Sequence, residues 1–366
     1  MRWNPLEITK NIENFVAFIQ SLTPSSKIAT IHDTDPDGMS AAVLLKKSLE
    51  RLNLQLKLIL PKNHGQRNVS NELLKELKEN DIDTIIYLDI AAETYPEVHR
   101  LDNFKILVID HHPSLESIPV NFTIVKPEFL QDELKNHQFC TAELVFKLFS
   151  ELTDIADLDW LAAVGIIGDS CYPHRKEFVD SVLTKNKVKI KEQIFDTEFS
   201  DVTEFCSYAD CVGTKHAYKK VFESLYNSDN YKQAIEGLQE FTPVKKEIHK
   251  ALDNFDKEKE VHGDLVLYSF QSDYYINSVV STILSHNNVK PTITLLVAQD
   301  VGTFMKISAR RQDLGEDMGK LLRRATMHLP DANGGGHIPA AGATVRKEDF
   351  EKFKKNVLKE HKELEK

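Results

Sequence analysis

Four stretches of this 366-residue chain carry side chains that could do chemistry, and each touches an apolar run. Ile31-His32-Asp33-Thr34-Asp35-Pro36-Asp37-Gly38 crowds one histidine and three aspartates into a turn, and Asp89 closes Ile85-Ile86-Tyr87-Leu88. Asp110-His111-His112-Pro113 follows Ile106-Leu107-Val108-Ile109, and Asp169 follows the apolar segment Leu161 to Gly168. Singly, each has an ordinary explanation: aspartate at a strand end caps a helix or makes a turn, and Gly38 relieves a tight one. Brought to one sheet edge, the acids would repel one another at a cost of several kcal/mol, which a bound cation removes. Carboxylates and imidazoles without thiolates suit Mn²⁺, Fe²⁺, Co²⁺ or Zn²⁺, whereas Mg²⁺ alone asks for more oxygen ligands. A carboxylate such as Asp89 can bridge two ions roughly 3.5–4 Å apart, an arrangement that activates water for phosphoester hydrolysis.

The elements that must position these residues are readable from periodicity. Candidate strands are Lys27 to His32, Leu56 to Pro61, Thr84 to Ile90, Lys105 to Asp110 and Phe122 to Val125, with helical spacing in Ser40 to Leu52, Asn71 to Lys78 and Thr141 to Leu152. This alternation predicts an α/β fold with a doubly wound parallel sheet, in which ligands bind beyond the carboxyl ends of the strands. A stretch rich in Lys and Glu then reads as a helical connection, and strand character returns after His262-Gly263 with Asp264 to Phe270, Thr292 to Ala298 and Thr303 to Ala309. A smaller α/β domain therefore follows, giving boundaries of 1–185, 186–260 and 261–366. The tail from Lys347 is a charged amphipathic helix with Phe350, Phe353, Val357 and Leu358 on one stripe.

The ordered set His32-x-x-Asp35-x-Asp37-Gly38, Asp89, Asp110-His111-His112 and Asp169 resembles the motifs of the DHH phosphoesterase superfamily. Asn333-Gly334-Gly335-Gly336-His337-Ile338-Pro339-Ala340-Ala341-Gly342 resembles the Gly-Gly-Gly-His signature of the associated DHHA1 domain, as in nanoRNase-like and RecJ-like enzymes. The resemblance implies that His32 and Asp35 bind one manganese, that Asp37, His111 and Asp169 bind the other, and that Asp89 bridges them. It implies that Asp110 supports the cluster and that His112 leans toward the scissile phosphate as an electrostatic or proton-donating group. Asp33, which the simplest motif does not need, is expected to cap the helix or support the ligands. Two Mn²⁺ ions are the implied cofactor, with Mg²⁺ or Co²⁺ as substitutes.

In the second domain, glycines without Cβ atoms let backbone N–H groups approach an anion, and His337 adds a donor; a flexible loop is the plainer alternative. Along Lys306-Ile307-Ser308-Ala309-Arg310-Arg311, Ser308 and Arg310 share one strand face and Arg311 points away. Arg310 suits bidentate phosphate binding, and the resemblance implies a substrate-binding set of Ser308, Arg310, Gly334, Gly335, Gly336 and His337. Lys320, Arg323 and Arg324 are equally a solvated helix face, and His64, Arg67, Asn68, Glu143, Tyr172 and His174 form a second tier.

Forty-six Lys and Arg against 56 Asp and Glu leave a net charge of −10, which argues against a general duplex-coating protein. The four cysteines have no Cys-x-x-Cys spacing, and no stretch approaches the roughly 20 apolar residues of a membrane helix, so a cytoplasmic protein without membrane partners is expected. The expected activity is exonucleolytic hydrolysis of short RNA or DNA oligonucleotides to nucleoside monophosphates, catalysis lying on the first domain and substrate capture on the second. A homodimer is compatible with this. The alternatives are a RecJ-like single-strand DNA exonuclease, a phosphatase of cyclic dinucleotides or bisphosphorylated nucleotides, a pyrophosphatase or exopolyphosphatase, and a non-catalytic replication scaffold.

Overall fold

The computed structural model describes residues 9–62, 69–113, 121–127, 138–190 and 193–364. His64, Arg67 and Asn68 lie outside them. The chain forms two compact units, Met1–Asp210 with Thr214–Glu240 and Cys211–Gly213 with Phe241–Lys366.

In the first unit β1 (Ile28–His32), β2 (Leu56–Pro61), β3 (Thr84–Leu88), β4 (Lys105–Ile109) and β5 (Phe122–Val125) pair in parallel in the order β2-β1-β3-β4-β5. β1 and β3 are buried throughout, as apolar runs covered on both faces must be. One face packs Ala29, Ile31, Ile85, Tyr87, Ile106 and Val108 against Val69 and Leu77, the latter on α3 (Asn71–Glu79). The other carries α2 (Pro36–Arg51), which packs against α4 (Thr141–Ser150) and α5 (Asp159–Gly168) and leaves α1 (Thr9–Gln20) on β5. The doubly wound expectation is met. α2 starts earlier than its apolar spacing suggests, because Asp35 caps it by accepting Gly38 N–H at 2.9 Å and Pro36 opens the first turn. The cap is thus Asp35, not Asp33, which accepts from Thr34 N–H and pairs with Lys62 at 3.1 Å.

The strand order reverses between β1 and β3, the switch point at which such sheets open a crevice. Register does the rest. His32 lies opposite Leu88, Leu88 opposite Ile109 and Ile109 opposite Val125, so Asp33, Asp89, Asp110 and Lys126, each one step further, form a row along one sheet edge. The N–H groups of Asp33, Asp89 and Asp110 donate to Leu88, Ile109 and Val125 at 3.2, 3.1 and 3.2 Å, which fixes that row by main-chain bonds. After α6 (Tyr172–Lys185) come α7 (Glu198–Val212), α8 (Lys215–Tyr226), α9 (Tyr231–Gly237) and α10 (Thr242–Glu258).

The second unit is built on a sheet of order β10-β11-β9-β8-β7-β6, from β6 (Glu260–His262), β7 (Leu265–Gln271), β8 (Thr294–Asp300), β9 (Phe304–Arg310), β10 (Asn333–Gly336) and β11 (Ala340–Arg346). β7 and β8 are parallel, linked through α11 (Asn277–Asn287), and the other pairs are antiparallel. α12 (Met318–Thr326) and α13 (Phe350–Leu364) cover one face, where Leu321, Leu322, Phe353 and Val357 meet Leu267, Leu296, Ile307 and Ala309. The glycine-rich segment, for which a flexible loop is the plainer alternative in the sequence, is strand β10 in a hairpin with β11.

Candidate metal centre

Beyond the switch point, helix ends aim acids at the row of strand ends. Asp37, fully buried in the first turn of α2, accepts from Thr141 N–H at 2.6 Å through Oδ2 and from Ala142 N–H at 2.8 Å through Oδ1. The amino end of α4 thereby orients its carboxylate. Thr141 Oγ1 also donates to Asp89 Oδ1 at 3.1 Å. Asp89 adopts φ +59°, a left-handed conformation that a residue with Cβ seldom takes and that turns it out of the strand direction. Gly165 on α5 leaves room for this arrangement, since a Cβ there would lie 2.8 Å from Asp37 Oδ1 and 2.5 Å from Ala142 Cβ.

Two trios of ligand-bearing atoms result, Asp37–His111–Asp169 and Asp89–His111–His112, with His111 common to both. His111 Nε2 is 3.4 Å from Asp89 Oδ1, and Nδ1 is 3.6 Å from Asp169 Oδ2. Nδ1 is buried and without a hydrogen-bond partner among the described residues. Burial by itself would lower the His111 ring, but Asp89, Asp37 and Asp169 raise it to about 10, making imidazolium the positive charge these acids lack. The acids resist ionising. Burial, and then the charge of Asp169, pushes Asp37 up to about 7; burial and Asp37 push Asp89 up to about 6; burial and Asp89 push Asp35 well above the carboxylate range. Cys171, which the sequence pattern did not single out, donates from Sγ to Asp169 Oδ2 at 3.2 Å.

His32 stands apart from both trios. Its Nδ1 donates to the Asp33 carbonyl at 2.7 Å and burial pushes the ring down to about 4, so the imidazole is neutral with its Nε2 lone pair available. That is the state in which imidazole ligates a metal. A buried imidazole, an unsatisfied ring nitrogen and acids whose ionisation is opposed by one another form a donor set that fits divalent cations.

Asp110 and His112 form a second layer. Asp110 is fully buried, and its Oδ1 accepts from His112 Nδ1 at 2.7 Å, which raises the imidazole, while 51% of the His112 side chain is exposed. Behind them sits Lys126, fully buried, 2.8 Å from Asp110 Oδ2 and 2.6 Å from Glu93 Oε1, and donating to the His112 carbonyl at 2.8 Å. Neither Lys126 nor Glu93 was singled out in the sequence, although Lys126 follows β5 as Asp110 follows β4. Glu143, from the second tier, is held by Arg175 Nε at 2.8 Å and Lys147 at 2.5 Å, and Tyr172 donates to Asp180.

In the second unit Ser308 and Arg310 share the face of β9 turned toward α11. Ser308 Oγ accepts from Asn277 Nδ2 at 2.8 Å, and Arg310 reaches Ser278 and Thr282 at 3.4 and 3.3 Å. Arg311 points the other way into Asp264 and Asp313. Two of the three glycines serve close approach: a Cβ on Gly334 would lie 2.6 Å from Leu322 O and one on Gly336 (φ +146°) 2.6 Å from Ala341 Cα, whereas Gly335 faces open space. His337 is exposed, but its N–H closes the hairpin on Ala340 O at 2.9 Å. Arg324 pairs with Glu360, and Lys320 lies near Asp317, which makes these a helix surface.

Residues 27–166 match the DHH family, N-terminal domain, and residues 266–363 match the DHHA1 domain. An uncharacterised protein of Methanocaldococcus jannaschii is 24% identical over 90% of this chain and 92% of its own length. The single-stranded-DNA-specific exonuclease RecJ of Bacillus subtilis is 23% identical over 95% of this chain, which spans 47% of that protein. The crystal structure of RecJ in complex with Mn²⁺ from Thermus thermophilus has the same fold, with a TM-score of 0.68 at 18% identity over 97% of this chain and 55% of that one. The chain belongs to the DHH superfamily and carries a DHHA1 domain. Among the described residues no helix is long and apolar enough to cross a membrane.

Proposed function

We propose that this chain is a divalent-metal-dependent phosphodiesterase that trims short single-stranded oligonucleotides to nucleoside monophosphates. The observation that carries the reading is the pair of trios sharing His111, set at the switch point of a parallel sheet. His32, Asp35, Asp37, Asp89, His111 and Asp169 would hold two cations, Mn²⁺ in the first instance. Bound there, such cations would neutralise charge developing on a phosphoryl group and lower the pKa of water.

The chain's own groups do the remainder. Asp110 fixes the His112 ring by its Nδ1, turning Nε2 outward, and raises it toward the protonated form, so His112 can donate a proton to the departing sugar oxygen. The amino end of α4 holds Asp37 and Thr141 holds Asp89, so the acids need not reorganise when substrate arrives. Arg310, without a carboxylate partner among the described residues, is suited to a substrate phosphate. Likeness to RecJ supports a nuclease, and the preference for short substrates is inferred from the net charge of −10.

The test is a labelled length ladder of RNA and DNA with Mn²⁺. The expected outcome is monophosphate release from the shortest oligomers and a loss of more than about a hundredfold in Asp89→Ala. Turnover unchanged in Asp89→Ala would overturn the reading.

A further inference from the structure

The face of the second unit's sheet that carries Ser308 and Arg310 also carries an exposed aromatic ring that the chemistry above leaves unused. Tyr275, 47% exposed, lies between β7 and α11. Its backbone is held by a fully buried amide on β8: Gln299 Oε1 accepts from the N–H groups of Ile276 and Asn277 at 2.9 and 3.0 Å, and Nε2 donates to the carbonyls of Tyr274 and Ser272 at 2.5 and 3.3 Å. A buried amide with both ends spent on one turn makes that turn rigid. The backbone that presents the ring is therefore fixed before any ligand arrives.

Lys306 of β9 lies with its ammonium 4.1 Å from the centroid of that ring. Along the strand the contacts repeat at every second residue: Lys306 with Tyr275, Ser308 with Asn277, Arg310 with Ser278 and Thr282. These positions rise roughly 6.7 Å apart on one face. On the other flank β11 sets Thr344, Gly342 and Ala340 opposite Lys306, Ser308 and Arg310, with Gly342 exposed. The result is a strip with α11 on one side and small residues on the other. Neither Lys306 nor Arg310 has a carboxylate partner among the described residues, whereas adjacent Arg311 pairs with Asp264 and Asp313. Two uncompensated cations beside a fixed aromatic ring, in a chain of net charge −10, match a ligand that alternates anionic phosphates with flat rings.

We propose that Tyr275 and Lys306 form a nucleotide subsite in which one base of a single-stranded nucleic acid stacks on the phenol ring while Lys306 and Arg310 take phosphates along the strand. The inference rests on the phosphodiesterase reading and narrows its substrate class. Pyrophosphate and inorganic polyphosphate offer the phosphates but nothing to stack, and stacking tolerates any base.

The test uses the full chain and a fluorescent pentanucleotide, with binding measured in EDTA by anisotropy and turnover of base-free bis(p-nitrophenyl) phosphate measured with Mn²⁺. Tyr275→Ala should weaken binding about fivefold or more, while Tyr275→Phe stays within about twofold and both turn over the base-free ester as wild type does. One abasic position should cost the wild type a similar factor and Tyr275→Ala nothing further, the signature of a shared contact. Lys306→Met should reduce the slope of log Kd against log salt by about 0.7. Unchanged binding by Tyr275→Ala, or an abasic penalty that survives in it, overturns the subsite. A wild type that binds with these properties yet hydrolyses neither ester nor oligomer leaves the subsite standing and removes the phosphodiesterase reading instead.

Discussion

Lys126 carries the most weight of the residues around the candidate metal centre that are not candidate ligands. Its ammonium is enclosed with Glu93 and Asp110, and burial, which alone would raise the Asp110 carboxyl, is outweighed by the hydrogen bond from His112 and the charge of Lys126. Lys126→Met would leave two buried carboxylates without the cation they share, so we expect a loss of about 3–5 kcal/mol in chemical denaturation. Adding Glu93→Gln should return part of it, because one of the stranded charges goes. With Asp110 and the His112 carbonyl no longer anchored by Lys126, turnover should fall roughly ten- to hundredfold in the fraction that remains folded. The strand-end rule that exposes Asp89 and Asp110 in the sequence applies equally to Lys126; only its being a lone cation hides it. Glu93 is different. It sits in a short 3-10 turn, Ala92–Thr94, that no apolar period marks.

Elements were legible where their side chains alternate or repeat, and illegible where glycine replaces the pattern. β2 and β5 have the predicted limits, while β10, made of Asn and three glycines, has no strand-forming side chain and owes its existence to pairing with β11 and packing on α12. The start of α2 was obscured because its capping Asp35 and the Asp37 of its first turn read as ligands. C-terminal helix α13 was visible as an apolar stripe, but not what fastens it. His361 on its last turns is buried between Glu316, 2.9 Å from Nδ1, and Asp264, 2.8 Å from Nε2, with Arg311 bonded to the same Asp264. The hydrogen bond to Glu316 and then that to Asp264 raise the imidazole to about 9. A histidine raised on folding gives its full contribution below the unfolded value near 6.5 and loses it as pH climbs through the folded value. Thermal unfolding of the second unit should therefore weaken by on the order of 2–3 kcal/mol between pH 6.5 and 9.5, and His361→Gln should flatten that dependence.

For the whole molecule, the acids of the first unit predict how metal and proton compete. Because Asp37 and Asp89 are raised to about 7 and 6, they hold protons more tightly folded than unfolded, and metal-free protein should lose stability as pH rises from about 4 to 7, the two acids outweighing the opposite contribution of His32, lowered to about 4. On the proposed reading Mn²⁺ displaces those protons, so at one fixed Mn²⁺ concentration its stabilisation, about 2.7 kcal/mol where that concentration is a hundredfold above Kd, should be larger at pH 8 than at pH 5 in differential scanning calorimetry, and EDTA should abolish it. A shift equal at both values would disconnect the acids from the ion. The row formed by residues 33, 89, 110 and 126 has a further consequence for how this architecture tolerates change. Strand length acts as a ruler, since deleting one residue inside β3 would swing the next side chain to the opposite sheet face and draw Asp89 back along its neighbours. Swapping Ile85 or Ile86 for another aliphatic of similar bulk disturbs neither count nor alignment. Drift in the identity of interior side chains is thus cheap, whereas a single-codon deletion there should disarm the candidate centre.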